Sequence, residues 1–199
     1  MRSFVVLLCL LPLAAQINPD DRRNPRKANE RDGRNIQLEN KTPEKDPELA
    51  KFYINLKTSP RAEEVDPVQT ALPLQLEKGD RIAFIGNLLL DAERRNGHLE
   101  TLIHQHHPKY ELTVRNFAWP ADEIDLMPRP DNFGDLDQHL TFFKIDVIVA
   151  AFGYNESFAG KEALPEFEDR LGIFLDNLRS RSYNGKTAPR IVLLSPVAA

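Results

Sequence analysis

Lys78-Gly79-Asp80-Arg81-Ile82-Ala83-Phe84-Ile85-Gly86-Asn87-Leu88 is the stretch from which the fold is read. A lysine-glycine-aspartate turn closes a polar segment, a β-rich apolar run follows, and Gly86-Asn87 ends that run just before a segment with helical periodicity. Working outward, helical pattern covers Leu88 to His107, and a strand pattern covers Tyr110 to Ala118. Helix is expected again over Leu136 to Lys144 and Pro165 to Arg181, and strand over Asp146 to Gly153 and Arg190 to Pro196. Strictly alternating β and α segments are the signature of a parallel sheet covered by helices. Asn96-Gly97 is expected to interrupt the first helix, because glycine inside a helix costs about 1 kcal/mol relative to alanine. In the last helix Phe167, Leu171, Phe174, Leu175 and Leu178 share one face, and Pro165 sits in the first turn where proline is tolerated. The unbroken apolar runs Val147 to Phe152 and Ile191 to Leu194 predict central strands buried on both faces.

Upstream of Lys78 the composition changes twice. Residues 1–16 run from Met1-Arg2-Ser3 through the apolar Phe4 to Leu13 and on to Ala14-Ala15-Gln16, the order of a secretory signal peptide and too short for a transmembrane anchor. Export to the periplasm or the exterior is therefore expected, with the mature chain starting close to Ile17. Cleavage there removes Cys9, the single cysteine, and with it any disulfide or thiolate chemistry. From Ile17 to about Lys51 charged residues, Asn and Pro dominate, which predicts a flexible tether. Phe52 to Leu76 mixes scattered apolar residues with Pro60, Pro67 and Pro73, as an extended lead-in laid over a domain surface would. The domain boundaries are thus 1–16 signal peptide, 17–77 tether and lead-in, and 78–199 α/β domain. A formal charge of −4, from 30 acidic against 26 basic residues, gives no electrostatic footprint for a phosphate backbone, so nucleic acid is not an expected partner.

Ligands of such sheets gather outside the carboxyl ends of the strands. Those ends read Gly86-Asn87, Asn116 to Asp122, Gly153 to Ser157 and Ser195-Pro196. Over roughly residues 78 to 199 they resemble the SGNH (GDSL-type) hydrolase family. The family's Gly-Asp-Ser block corresponds to Gly86-Asn87-Leu88, so Leu88 stands where the nucleophilic serine would be. Its second block corresponds to Asn116-Phe117-Ala118-Trp119-Pro120-Ala121-Asp122, with Ala121 at the glycine whose N–H faces an oxyanion. The Gly-x-Asn-Asp block matches Gly153-Tyr154-Asn155-Glu156, with Asn155 at the side-chain donor. The final Asp-x-x-His block has no counterpart, and no histidine follows His139. The resemblance implies a flavodoxin-like three-layer α/β/α domain, incomplete at the C-terminus and therefore marginally stable. It implies esterase-type activity on acyl or acetyl esters. It also implies a ligand pocket from Gly86, Asn87, Ala121, Gly153 and Asn155. The motifs are similar as well to domains at the start of large exported bacterial proteins that continue into haem-binding modules, which implies haem-binding domains downstream in a longer parent chain.

Acyl transfer requires a nucleophile beside a base and donors aimed at the developing oxyanion, and leucine can be no nucleophile. Three readings remain open: an ester hydrolase with unusual catalytic residues, a catalytically silent domain that binds carbohydrate or a partner domain, or a non-functional fragment. Ser157 is the nearby hydroxyl that could replace the nucleophile, and a turn serine is its bland alternative. Asn87 suits a helix N-cap as well as a pocket wall. Phe117 and Trp119 offer either a sugar-stacking edge or ordinary packing. His104 and His107 share a helical face, but they sit at a helix end that favours such side chains and lack carboxylate ligands at matching spacing, so no metal site is assigned. Neither Gly-x-Gly-x-x-Gly nor Gly-x-x-x-x-Gly-Lys follows the first strand, and no nucleotide or other cofactor is expected.

Overall fold

The structure is a computed structural model and describes residues 54–195. The expected signal peptide, the whole of the expected tether and Pro196 lie outside the described residues. The six-residue run after Asp80 forms a strand because its side chains are apolar on both sides. The period of two sends Ala83 and Ile85 into one core and Ile82 and Phe84 into the other, each no more than 1% exposed. Burying such an isoleucine or phenylalanine contributes about 1.5–3 kcal/mol.

In chain order the elements are β1 (Glu63–Glu64), β2 (Arg81–Gly86), α1 (Leu88–Asn96), α2 (His98–His106), β3 (Thr113–Asn116), α3 (Leu136–Phe142), β4 (Val147–Ala151), α4 (Leu164–Arg179), β5 (Arg181–Ser182) and β6 (Arg190–Leu193). Two short 3₁₀ turns, Glu156–Ala159 and Lys161–Ala163, lie between β4 and α4. The main sheet has four strands in the order β3-β2-β4-β6, and every pairing is parallel. Ile85 and Gly86 lie opposite Ala150 and Ala151 in the central pair. Leu140 of α3 and Leu178 of α4 close the core on one face, with Phe167, Leu171 and Phe174 packed against it. Leu90 of α1, with Leu99 and Ile103 of α2, closes the other. The protein is thus an α/β fold with a parallel sheet flanked by helices, and the chain order reverses between β2 and β4.

The expected interruption of the first helix occurs at Gly97. There φ is +59°, the N–H of Gly97 bonds the Glu93 carbonyl at 2.7 Å, and the Glu93 carboxylate accepts the Leu99 N–H at 2.7 Å. Two expectations need correction. The apolar run at Ile191 is not buried on both faces: among the described residues β6 pairs only with β4, Ile191 and Val192 are half-buried, and Leu193 is 44% exposed. A continuous apolar run reads the same for a central strand as for an edge strand shielded by neighbouring chain. The strand expected over Tyr110 to Ala118 shortens to Thr113–Asn116, because Glu111 adopts a φ of +54° before it.

The lead-in binds to the domain along its whole described length. Gln138 donates to the Leu56 and Ser59 carbonyls at 3.2 and 2.8 Å, and β1 pairs antiparallel with β5. The Thr70 hydroxyl accepts the Ile191 N–H at 3.0 Å, and Leu74 and Leu76 pack on the α1–α2 side. It therefore passes from the α3 face around the β6 edge to the opposite face.

Candidate site at the strand carboxyl ends

The reversal between β2 and β4 is where open parallel sheets present their crevice. Gly86 ends β2 at a φ of +135°, and a β-carbon there would stand 2.0 Å from the Ala151 carbonyl oxygen. Only glycine lets the two central strands stay this close as the chain turns out of the sheet. Asn87 comes next, 1% exposed; its N–H donates to the Ala151 carbonyl at 3.1 Å and its own carbonyl accepts from Asp91 at 3.0 Å. Asn87 occupies the N-cap position of α1, yet its side chain makes no capping bond. It turns across the switch point, and Nδ2 donates to Glu156 Oε2 at 3.4 Å.

Glu156 is the hub of this region. Its carboxylate, with the residue 7% exposed, also accepts the Gly153 N–H at 2.9 Å and the Ile124 N–H at 3.1 Å. One side chain thereby joins the loops that follow β2, β3 and β4. Asn155, the expected oxyanion donor, directs Nδ2 to the Pro120 and Asp122 carbonyls at 2.9 and 3.0 Å, so both of its amide hydrogens are engaged. Ala121 lies exposed on the loop after β3. Leu88 is 39% exposed and offers no hydrogen-bonding group. The exposed Ser157 hydroxyl donates to the Tyr154 carbonyl at 2.6 Å, the geometry of a turn serine. Gly86, Asn87, Gly153 and Asn155 thus come together in a hydrogen-bonded floor, with Ala121 outside it.

The loop between β3 and α3 is held by a second polar lock. Arg129 donates through two nitrogens to the two oxygens of Asp122, both at 2.7 Å, and Asp122 is 2% exposed. The same guanidinium lies 4.5 Å from the centre of the Trp119 ring. Phe117 packs against Phe143 and His139, so it serves the core, whereas Trp119 keeps 40% exposure. His104 stands 3.9 Å from Glu100, and His107 packs against Tyr110 at 4.9 Å.

This loop also walls a cavity of about 830 Å³, within the range of small-molecule sites. Its lining includes Phe117, Trp119, Phe133 and His139 but none of Gly86, Asn87, Leu88, Ala121, Gly153 or Asn155. His139 stacks on Phe133 at 4.8 Å. Burial holds the imidazole below its ordinary pKa, and Arg129 acts the same way, against a hydrogen bond to the Gly134 backbone that works upward. Its Nε2 is buried and has no hydrogen-bond partner among the described residues. Behind the lining residue Asp137, burial and the Asp137 carboxylate, which accepts the Tyr183 hydroxyl at 2.8 Å, push the Tyr183 pKa upward. No short motif marks this cavity in the sequence, and it was not among the expected sites. Its one sequence signal is the length of the segment from Phe117 to Asp135, longer than ordinary connections in a compact domain.

No family model matches the chain, and neither does any curated protein or solved structure.

Proposed function

We propose that this chain is an exported domain of SGNH-hydrolase type that no longer performs acyl transfer and serves as a binding module for carbohydrate or for a partner domain of a longer parent protein. One observation carries the reading. At the switch point, where the family would place a serine and a side-chain oxyanion donor, Leu88 supplies no nucleophile and the Asn155 amide is engaged with the Pro120 and Asp122 carbonyls. Donors held by internal acceptors cannot also be preorganised for a developing oxyanion. The strand order, in which the first sheet strand lies between the second and third, supports the family resemblance at the level of topology.

Exposed Trp119 favours the carbohydrate form of this reading, since one edge of the ring stays open while the Arg129–Asp122 pair fixes it. Ester turnover tests the proposal. The wild type and Leu88→Ser are both expected to leave a short-chain nitrophenyl ester at the background rate, because a serine hydroxyl without a base stays protonated and weakly nucleophilic. Saturable turnover by the wild type, lost in Ser157→Ala, would overturn it. Export is tested separately: extracytoplasmic protein should begin near Ile17, and an intact Met1 in that fraction would contradict it.

A further inference from the structure

We infer that the 830 Å³ cavity beside the strand ends is a binding site for a primary organic ammonium ion carried on an apolar chain. The inference does not rest on the silent switch point, but it shares Trp119 with the carbohydrate reading, and the two give opposite outcomes for this cavity.

Four aspartates line the cavity: Asp125, Asp131, Asp135 and Asp137. Arg170 pairs with Asp125 at 3.2 Å and Arg61 pairs with Asp135, while the cavity's own Arg129 is taken up by Asp122. The Asp137 carboxylate receives only the neutral Tyr183 hydroxyl among the described residues, and the exposed carboxylate of Asp131 has no hydrogen bond or ion pair among them. Two carboxylates are thus left without a cation on the wall of one cavity.

The remaining lining matches an ammonium on an apolar skeleton. Phe117, Trp119 and Phe133 supply aromatic surface, and aromatic faces attract cations through their quadrupole. The wall already holds one cation in this way, since Arg129 lies over Trp119. His139 adds no competing charge, because burial favours its neutral form. With the Gly134 carbonyl on one ring nitrogen, Nε2 is left as a buried acceptor without a donor. This ring nitrogen and the two carboxylates call for N–H donors on the ligand. A quaternary ammonium has none, and a carboxylate or phosphate would meet like charge.

The experiment titrates the full chain at neutral pH with n-hexylamine, hexan-1-ol and hexanoate, following Trp119 fluorescence and heat. Hexylammonium is expected to saturate, with hexanol and hexanoate at least about tenfold weaker. Asp131→Asn, an exposed position that leaves the core intact, should weaken hexylammonium by about fivefold and leave hexanol unchanged. Equal binding of the three probes, the absence of saturable hexylammonium binding, or an unaltered affinity in Asp131→Asn would overturn the inference. So would displacement of hexylammonium by a neutral oligosaccharide at lower concentration, which would assign the cavity to sugar.

Discussion

Replacing Glu156 with glutamine removes the charge at the hub while preserving its shape, and the hydrogen bonds around the carboxylate set the size of the loss. The carboxylate accepts from Gly153, Ile124 and Asn87. Glutamine has one acceptor oxygen. If that oxygen takes the Oε2 position it keeps Gly153 and Asn87, and the amide NH₂ then faces the buried Ile124 N–H. In the opposite orientation it faces Gly153 and Asn87 instead. Either way at least one buried N–H loses its partner, at a cost of about 1–3 kcal/mol, and the retained bonds lose charge assistance worth about 1 kcal/mol. The 3.4 Å bond from Asn87 is long and adds little. Together the loss is about 2–4 kcal/mol, a large fraction of the stability of a single domain. Urea unfolding followed by Trp119, the single tryptophan, reads it directly. For a slope of about 2 kcal/mol per molar the midpoint should fall by about 1–2 M. A midpoint within about 0.25 M of wild type would refute the assignment of Glu156 as the joint between the three loops.

Other contacts carry their own expected outcomes. Gly86→Ala should cost more than about 3 kcal/mol, because its β-carbon meets the Ala151 carbonyl, whereas Gly97→Ala, with open space around it, should cost only about 1 kcal/mol for its left-handed φ; paired urea midpoints decide between steric and conformational cost. Asp122→Asn leaves a largely buried Arg129 facing a neutral amide and should destabilise by about 3 kcal/mol with a change in Trp119 emission; an unchanged spectrum and midpoint would contradict the lock. Because burial lowers the folded pKa of His139 below the ordinary 6.5, the unfolded chain takes up that proton first. The His139 contribution is then complete above pH 6.5 and is lost as the pH falls from there toward the folded value, so His139→Phe should flatten the stability profile between about pH 7 and 5. Identical slopes in both proteins would exclude this.

Much of the layer order was legible from hydrophobic period alone. β2 begins and ends at the residues read from the sequence, and the break at Asn96-Gly97 falls where glycine interrupts the helical pattern. These features are local, so local sequence determines them. The apolar run of β6 alone does not reveal how many strands flank it; the missing counterpart of the last family block is what points to an uncovered edge there. The Asp135-x-x-Gln138 capping box at the start of α3 is a local signal too, legible in principle from the spacing of its two side chains. At the site, counting strand ends is enough to bring Gly86, Asn87, Gly153 and Asn155 to one edge, because a parallel sheet carries its strand ends there. What each side chain does there was not legible. Asn87 reaches Glu156 across 69 positions of chain, and Asn155 reaches Pro120 across 35, so neither partner has a sequence signal. Glu156 itself looked like a conservative replacement for an aspartate, and only three-dimensional geometry reveals its three donors.

The most direct measurement of catalytic silence is intact-mass analysis of the folded chain after prolonged exposure to a fluorophosphonate probe, followed by peptide mapping. With Leu88 at the nucleophile position and the Ser157 hydroxyl bonded to the Tyr154 carbonyl, the mass is predicted to remain that of the unlabelled protein. A stoichiometric adduct on Ser157, or on any other strand-end hydroxyl, that disappears when the protein is denatured before exposure would contradict the account.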